Sequence, residues 1–174
     1  MKDQHHASAS ADVPVAFPAK SARPFPVPRP SGSAVSATSA LGTSGLADAE
    51  AGTLMSTLRM ELEERSAEHT VVRMPVDGAR QVTGVLHGGA NAALVETAAS
   101  VAAREAAPAG TAPVGTDLQV SHLRPARRGW VTAVATPLHR GRRTAVYRVE
   151  VSDENGRVIA HGTLRCLYVE VDGS

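Results

Sequence analysis

The chain has 174 residues, 43% of them hydrophobic, and its formal net charge is +1. That length suffices for one domain with a full core. The near-neutral charge gives no reason to expect nucleic acid or an anionic membrane as a partner. The single cysteine, Cys166, excludes an internal disulfide and a multi-cysteine zinc site. Because no apolar run could span a membrane and the first residues lack a secretory core, we expect a cytoplasmic protein.

Residues 1–48 differ in composition from the rest of the chain. Proline crowds the first thirty positions, and alanine, serine and glycine fill most of the stretch up to Gly45. Such a segment lacks regularly spaced bulky side chains, so we predict a disordered tail over 1–48 and a folded domain over 49–172. The alternative is a docking peptide with Phe17 or Phe25 as its anchor.

Patterned sequence begins near Leu46. Leu54, Leu58 and Leu62 recur every four residues, which predicts an amphipathic helix from Asp48 to about Glu64. Later runs alternate in polarity and predict strands. In chain order we predict a helix over 48–64, a strand over 70–76, a helix over 89–107, and strands over 112–123, 129–138, 143–152 and 157–169.

The second helix is the strongest of these predictions. Its sequence, GANAALVETAASVAAREAA, contains no proline and is followed by Pro108 and Gly110. Asn155-Gly156 predicts a tight turn that joins the last two strands into a hairpin. A helix followed by a meander of strands favours an α+β domain with one antiparallel sheet and a helix on one face. Small side chains would let a strongly curved sheet approach this helix closely: Ala92, Ala93, Ala98, Ala99, Ala102 and Ala103.

The segment His87-Gly88-Gly89 runs directly into this helix. Two glycines at a helix start permit a tight turn and leave backbone N–H groups uncovered. The helix dipole makes those groups partly positive, so they could polarise a carbonyl and stabilise the oxyanion formed in acyl transfer. A glycine-rich turn required only for close packing would show the same residues, so the motif alone leaves both interpretations open.

Glu96 favours the catalytic interpretation. It interrupts the apolar stretch LVETAAS, where an unpaired buried carboxylate would cost several kcal/mol. A polar cavity, a raised pKa or a partner would each explain it, and the remaining explanation is a helix face that meets solvent. Ser100 lies one turn later on the same face and could hydrogen-bond within the site.

The spacing also constrains the geometry. If the helix begins at Gly89, Glu96 lies about 10 Å along it, at ~1.5 Å per residue. A carboxylate at that distance cannot easily attack a carbonyl held at the N–H of Gly88 of the same subunit. Two helices side by side in a twofold dimer would combine His87 and Gly88 of one chain with Glu96 of the other.

These blocks together resemble a known family. The stretches GVLHGGANAALVETAAS, VGTDLQVSHLRPARRG and PLHRGRRTAVYRVEVSDENGRVIAHGT are similar, in order, to hotdog-fold acyl-CoA thioesterases. The branch they resemble contains phenylacetate-pathway, 4-hydroxybenzoyl-CoA and 1,4-dihydroxy-2-naphthoyl-CoA thioesterases, and the resemblance covers about residues 50–170. It implies a long helix wrapped by an antiparallel sheet, homodimers with shared active sites that often pair into homotetramers, and catalysis without a metal or an organic cofactor.

The resemblance also implies roles for individual residues. Gln81 would help to position the thioester, Gly88 would polarise its carbonyl beside His87, and Glu96 would be nucleophile or general base. Ser100 would orient water, and His122 would lie near the acyl or pantetheine end. Arg140, Arg142 and Arg143, in the turn between the strands predicted over 129–138 and 143–152, suit the CoA phosphates. A solvated hairpin loop is the alternative. The expected substrate and CoA contacts are Gly89, Gly115, His122, Leu123, Arg124, Pro125, His139, Arg140, Gly141, Arg142, Arg143 and Thr144.

The expected reaction is hydrolysis of an acyl-CoA, with an aryl or medium-chain acyl group, to a free acid and CoA. A hotdog dehydratase or hydratase is a rival, although the motif spacing typical of those enzymes is not seen in the chain. A non-catalytic acyl-CoA-binding regulatory domain is a second rival. Gln81, Glu96 and Ser100 argue against it, because simple binding does not require a carboxylate in an apolar wall.

Overall fold

A long helix lies against an antiparallel sheet in the part of the chain that the computed structural model describes, residues 52–171. The predicted tail of residues 1–48 lies outside the described residues. The sheet has six strands in the order β1-β2-β4-β5-β6-β3. The elements in chain order are α1 (Leu54–Thr57), β1 (Glu61–Glu64), β2 (Thr70–Pro75), α2 (Gly88–Glu105), β3 (Thr111–His122), β4 (Trp130–Arg140), β5 (Thr144–Asp153) and β6 (Val158–Glu170).

Helix α2 contacts every strand from β2 to β6. Five neighbouring strands extend across about 19 Å at ~4.8 Å per step, whereas a helix with its side chains is only about 10–12 Å wide. The sheet must therefore curve around the helix. The α+β architecture predicted from the sequence is confirmed, and so are α2 and the five predicted strands, with ends that differ by one or two residues.

The predicted helix over 48–64 is wrong in its second half. Only one turn forms, α1, and it closes before Arg59, whose φ of 52° is left-handed. Glu61–Glu64 is instead an edge strand paired with β2. Arg73 of β2 supports this pairing, because its guanidinium lies 2.5 Å from a carboxylate oxygen of Glu61 and 3.1 Å from one of Glu63. The four-residue spacing of leucines could not reveal these cross-strand ion pairs.

The core lies between α2 and the concave side of the sheet. On β5, Ala145, Tyr147, Val149 and Val151 are all buried, as alternation predicts. They face a helix side that also has small residues: Ala98, Ala99, Ala102 and Ala103 are fully buried, and Ala92 and Ala93 are half-buried. Close packing of short side chains therefore brings the helix backbone near the sheet.

Two tyrosines attach the end of α2 to the sheet. The Tyr147 hydroxyl lies 3.0 Å from the carbonyl oxygen of Ala67 and 3.1 Å from that of Ala102. The Tyr168 hydroxyl donates to the carbonyl of Ala103 at 3.2 Å. Burial raises the pKa of Tyr147 to about 12. These bonds fix the position of α2 relative to β5 and β6.

Two further features bear on function. Strand β3 is 12 residues long and lies at one edge of the sheet, so its outer side has no neighbour among the described residues. The predicted hairpin at Asn155-Gly156 is confirmed, and Gly156 has a φ of 72°. Within residues 52–171 no helix combines the length and the apolar character needed to cross a membrane.

Candidate active site

The start of α2 presents a backbone N–H group that no other group in the described part of the chain accepts from. The preceding segment is held on both sides, because Leu86 N–H donates to the carbonyl of Ala126 at 2.7 Å and His87 N–H to that of Ala79 at 2.8 Å. His87 is the N-cap residue, and its Nδ1 accepts a hydrogen bond from Gly89 N–H at 2.9 Å. Within residues 52–171 no acceptor is found for the N–H of Gly88. This group lies at the positive end of the helix dipole and is available to a ligand.

A cavity of about 350 Å³ lies beside Gly88. Loop 81–86, the first turn of α2 and the segment after β3 form its walls, although they are far apart in sequence. Arg124 is held there by a 2.5 Å hydrogen bond from its guanidinium to the carbonyl of Val158. Six residues of the sequence-based prediction line the cavity: Gln81, Gly88, His122, Leu123, Arg124 and Pro125. His87 and Gly89 are exposed and do not line it.

Asn91 also lines this cavity, and the sequence analysis missed it. Its side chain is 4% exposed, and its Nδ2 donates to His122 Nδ1 at 3.2 Å. Its Oδ1 is buried and has no hydrogen-bond partner among the described residues. A signal was present in the sequence, because an asparagine interrupts the alanine-rich start of α2 just as Glu96 does further along. The argument applied to Glu96 would have identified it.

Glu96 and Ser100 lie elsewhere, in a shallow groove of about 340 Å³ between α2 and α1. The Glu96 side chain is exposed in the single chain. Of the explanations offered for this carboxylate, a helix face that meets solvent is the one that describes its surroundings there. It reaches towards edge strand β3, where a Cβ on Gly115 would lie 3.1 Å from Glu96 Oε1. Nearby, burial and then the charge of Glu96 raise the pKa of Cys166 to about 11. Glu96 and Gly88 therefore face different cavities of one chain.

The basic turn between β4 and β5 lies at the opposite end of α2. With Ala67, Glu105 and Ala106, it borders a groove of about 660 Å³ that includes His139, Arg140, Gly141 and Arg142. Glu105 is 17 residues beyond Gly88, so the groove lies about 25 Å from the helix start at ~1.5 Å per residue. Arg140 is ion-paired with Glu68. Within residues 52–171 Arg142 and Arg143 form no ion pair and remain available to an anion, and Thr144 begins β5 beside them.

Comparisons with known proteins agree in family and in fold. The model of the thioesterase superfamily matches residues 83–160. The chain is 39% identical over 107 residues to the proofreading thioesterase EntH of Cronobacter turicensis, covering 61% of this chain and 78% of that protein. It is 35% identical over 114 residues to the 1,4-dihydroxy-2-naphthoyl-CoA hydrolase of Escherichia coli, covering 65% and 84%. A crystal structure of a Haemophilus influenzae thioesterase superimposes with a TM-score of 0.70 and 32% identity, covering 76% of this chain and 93% of that chain.

Proposed function

The chain belongs to the thioesterase superfamily and is a hotdog-fold thioester hydrolase, and on that premise we propose that its substrate is an acyl-CoA with an aryl or medium-chain acyl group. The observation on which this proposal rests is the N–H of Gly88, which has no acceptor among the described residues and lies beside the cavity at the start of α2. The hydrolase of Escherichia coli is named for an aryl-CoA, which supports the choice of an aryl group.

The thioester carbonyl docks on the N–H of Gly88. As a nucleophile adds to the carbonyl carbon, the oxygen becomes negative, and a fixed donor at the positive helix end stabilises it more than it stabilises the neutral carbonyl. A single donor of this kind is worth about 2.7–4 kcal/mol in the transition state. His87 contributes indirectly, because its cap fixes the first turn of α2. Gln81 positions the thioester from the loop across the cavity.

Glu96 acts as the nucleophile or as the general base. As a nucleophile it forms a mixed anhydride, CoA leaves as the thiolate, and water then hydrolyses the anhydride. As a base it takes a proton from the water that attacks the carbonyl, with Ser100 orienting that water. Both routes release a carboxylic acid and CoA.

The acting Glu96 comes from a second copy of the chain. Eight residues separate Gly88 from Glu96, which is about 12 Å along one helix at ~1.5 Å per residue, and the two residues face different cavities. The long exposed edge of β3 offers hydrogen-bonding groups that a second β3 would satisfy. Twofold pairing of these edges would continue the sheet and set two α2 helices side by side. Because Glu96 already reaches the β3 side of its own helix, this pairing would direct it towards the other copy.

The nucleotide end of CoA binds the turn 139–144. Arg142 and Arg143 lie there without a carboxylate partner among the described residues, and guanidinium groups bind phosphate oxygens in a bidentate manner. The distance of about 25 Å from Gly88 of the same chain suggests that this contact also comes from another subunit.

Thiol release from benzoyl-, phenylacetyl-, naphthoyl- and octanoyl-CoA tests the reaction. We expect the wild-type chain to release CoA from at least one of them, and Glu96→Gln to lower kcat by about a thousandfold or more. Glu150→Gln is the matched control, because it removes the charge of an exposed glutamate on β5 and should leave turnover unchanged. Hydration of an enoyl-CoA without thiol release, or binding of the esters without turnover, would contradict the proposal. Near-normal hydrolysis by Glu96→Gln would show that Glu96 is neither the nucleophile nor the general base.

A further inference from the structure

Asn91 and His122 form a hydrogen-bonded pair in the wall of the cavity beside Gly88. Asn91 lies on the first turn of α2, and its amide is the one hydrogen-bond partner that the imidazole of His122 has within residues 52–171. The contact joins Nδ2 of the amide to Nδ1 of the ring at 3.2 Å. An amide nitrogen donates and cannot accept, so Nδ1 of His122 must be the acceptor in this arrangement.

This contact determines where the imidazole has its proton. A neutral ring has one N–H, and when Nδ1 accepts, that hydrogen is on Nε2. Nε2 is also the ring atom that faces the helix start, because a Cβ on Gly88 would lie 3.0 Å from it. Both residues line the cavity that exposes Gly88. Nε2 of His122 therefore lies close to Gly88, whose N–H has no acceptor among the described residues, and both residues line the same cavity.

We propose that Asn91 is a positioning residue that holds His122 with Nε2–H directed at the thioester carbonyl, so that His122 and the N–H of Gly88 form a two-donor oxyanion site. This inference rests on the proposed function and adds a second donor to it. As the carbonyl carbon is attacked, the developing negative charge is shared between a backbone donor and a side-chain donor. Two donors fixed before the reaction stabilise that charge without reorganising during it.

The surroundings of Asn91 indicate a role other than stability. The Oδ1 atom is buried and has no hydrogen-bond partner among residues 52–171. A buried acceptor of this kind destabilises the fold, so a residue kept only for packing would be apolar. Leucine branches at the same carbon as asparagine and removes both the donor and the unsatisfied oxygen. Asn91→Leu should therefore weaken catalysis without weakening the fold.

Steady-state hydrolysis of benzoyl-CoA and octanoyl-CoA gives the first measurement. We expect Asn91→Leu to lower kcat about tenfold with KM within about twofold, because ring orientation matters most in the transition state. His122→Ala should lower kcat about a hundredfold, as loss of one oxyanion donor does. In the His122→Ala background, Asn91→Leu should have no further effect on kcat. The melting temperature of Asn91→Leu should equal or exceed that of the wild type, and Asn91→Ala should show the same loss of kcat if leucine proves too large.

Nitrogen-15 NMR of histidine-labelled protein gives a second measurement that packing alone would not change. The His122 signals, identified by their loss in His122→Ala, should show a protonated Nε2 and an unprotonated Nδ1 in the wild type. In Asn91→Leu they should show a mixture of the two tautomers.

Three results would overturn the assignment. These are a wild-type ring protonated on Nδ1, a loss of kcat that adds fully to that of His122→Ala, and unchanged kcat in both Asn91 variants. Each of them would leave Glu96→Gln inactive and the proposed hydrolysis intact. Failure of the wild type to cleave any CoA ester would instead overturn the hydrolysis itself, and the two-donor site with it.

Discussion

Mixing two inactive variants tests whether the active site is assembled from two chains. The first variant, Gly88→Pro, removes the N–H proposed to bind the thioester carbonyl. Gly88 is the first residue of α2, where proline is well tolerated. His87 already has the extended conformation that a residue before proline requires, with φ −68° and ψ 133°. The second variant, Glu96→Gln, removes the carboxylate and keeps the shape of the side chain.

The expected recovery follows from the geometry of α2. Gly88 and Glu96 are about 12 Å apart along one helix, at ~1.5 Å per residue, whereas a nucleophile must lie about 3–3.5 Å from the carbon it attacks. Each homodimer of either variant then lacks one half of both sites. A mixed dimer has one site with both defects and one site with none. Random association of equal amounts gives half mixed dimers, so about a quarter of the wild-type activity should return.

The assay is thiol release from the best CoA ester after the two differently tagged variants are unfolded and refolded together. Gly88→Ala serves as the steric control, because it places the same Cβ as proline 3.0 Å from Nε2 of His122 and keeps the N–H. Its activity should exceed that of Gly88→Pro by about a hundredfold. Mixing Glu96→Gln with Glu96→Ala should restore nothing. Activity that stays at the level of the separate variants, while wild-type chains refold in parallel with full activity, would refute the shared site.

Three further predictions concern stability and substrate binding. Gly162→Ala should lower the free energy of unfolding by about 3 kcal/mol in urea denaturation, because its Cβ would lie 2.5 Å from the carbonyl oxygen of Gln119 on the neighbouring strand; an unchanged denaturation midpoint would contradict this packing. Tyr147→Phe should cost about 1–2 kcal/mol through the loss of the hydroxyl proton that the carbonyls of Ala67 and Ala102 share. The pKa of Tyr147 rises from 10.0 to about 12 on folding, so the stability this group provides is complete below about pH 10 and is lost as the pH rises towards 12; in thermal melts the wild type should lose more stability over that interval than Tyr147→Phe. Arg142→Ala and Arg143→Ala should each raise KM for acyl-CoA about tenfold with kcat unchanged, and an equal effect on a thioester without the nucleotide would argue against phosphate binding.

The alanine-rich helix and the strands were predictable because their signals are local. A residue's place in a helix turn or on one side of a strand depends on its neighbours in sequence, and the alternation of β5 and the turn at Asn155-Gly156 both followed that rule. The helix predicted from the leucine spacing before residue 64 was wrong in its second half, because the pairing of a strand depends on residues that are distant in sequence. The strand Glu61–Glu64 pairs with β2, including Arg73 opposite Glu61, and this partner is distant in sequence and leaves no trace in the local pattern.

The sequence by itself determined the start of α2 at His87-Gly88-Gly89 and, through the resemblance, the family to which the chain belongs. Only the tertiary structure decided which side chains share a cavity with Gly88. It placed His122 and Asn91 there, and it left Glu96 exposed beside β3 and the arginine turn at the far end of the helix. The physical reason is that the sheet curves around α2, so that residues on different sides of the helix lie beside different strands. Residues close in sequence therefore separate, whereas Asn91 and His122, 31 positions apart, come into contact.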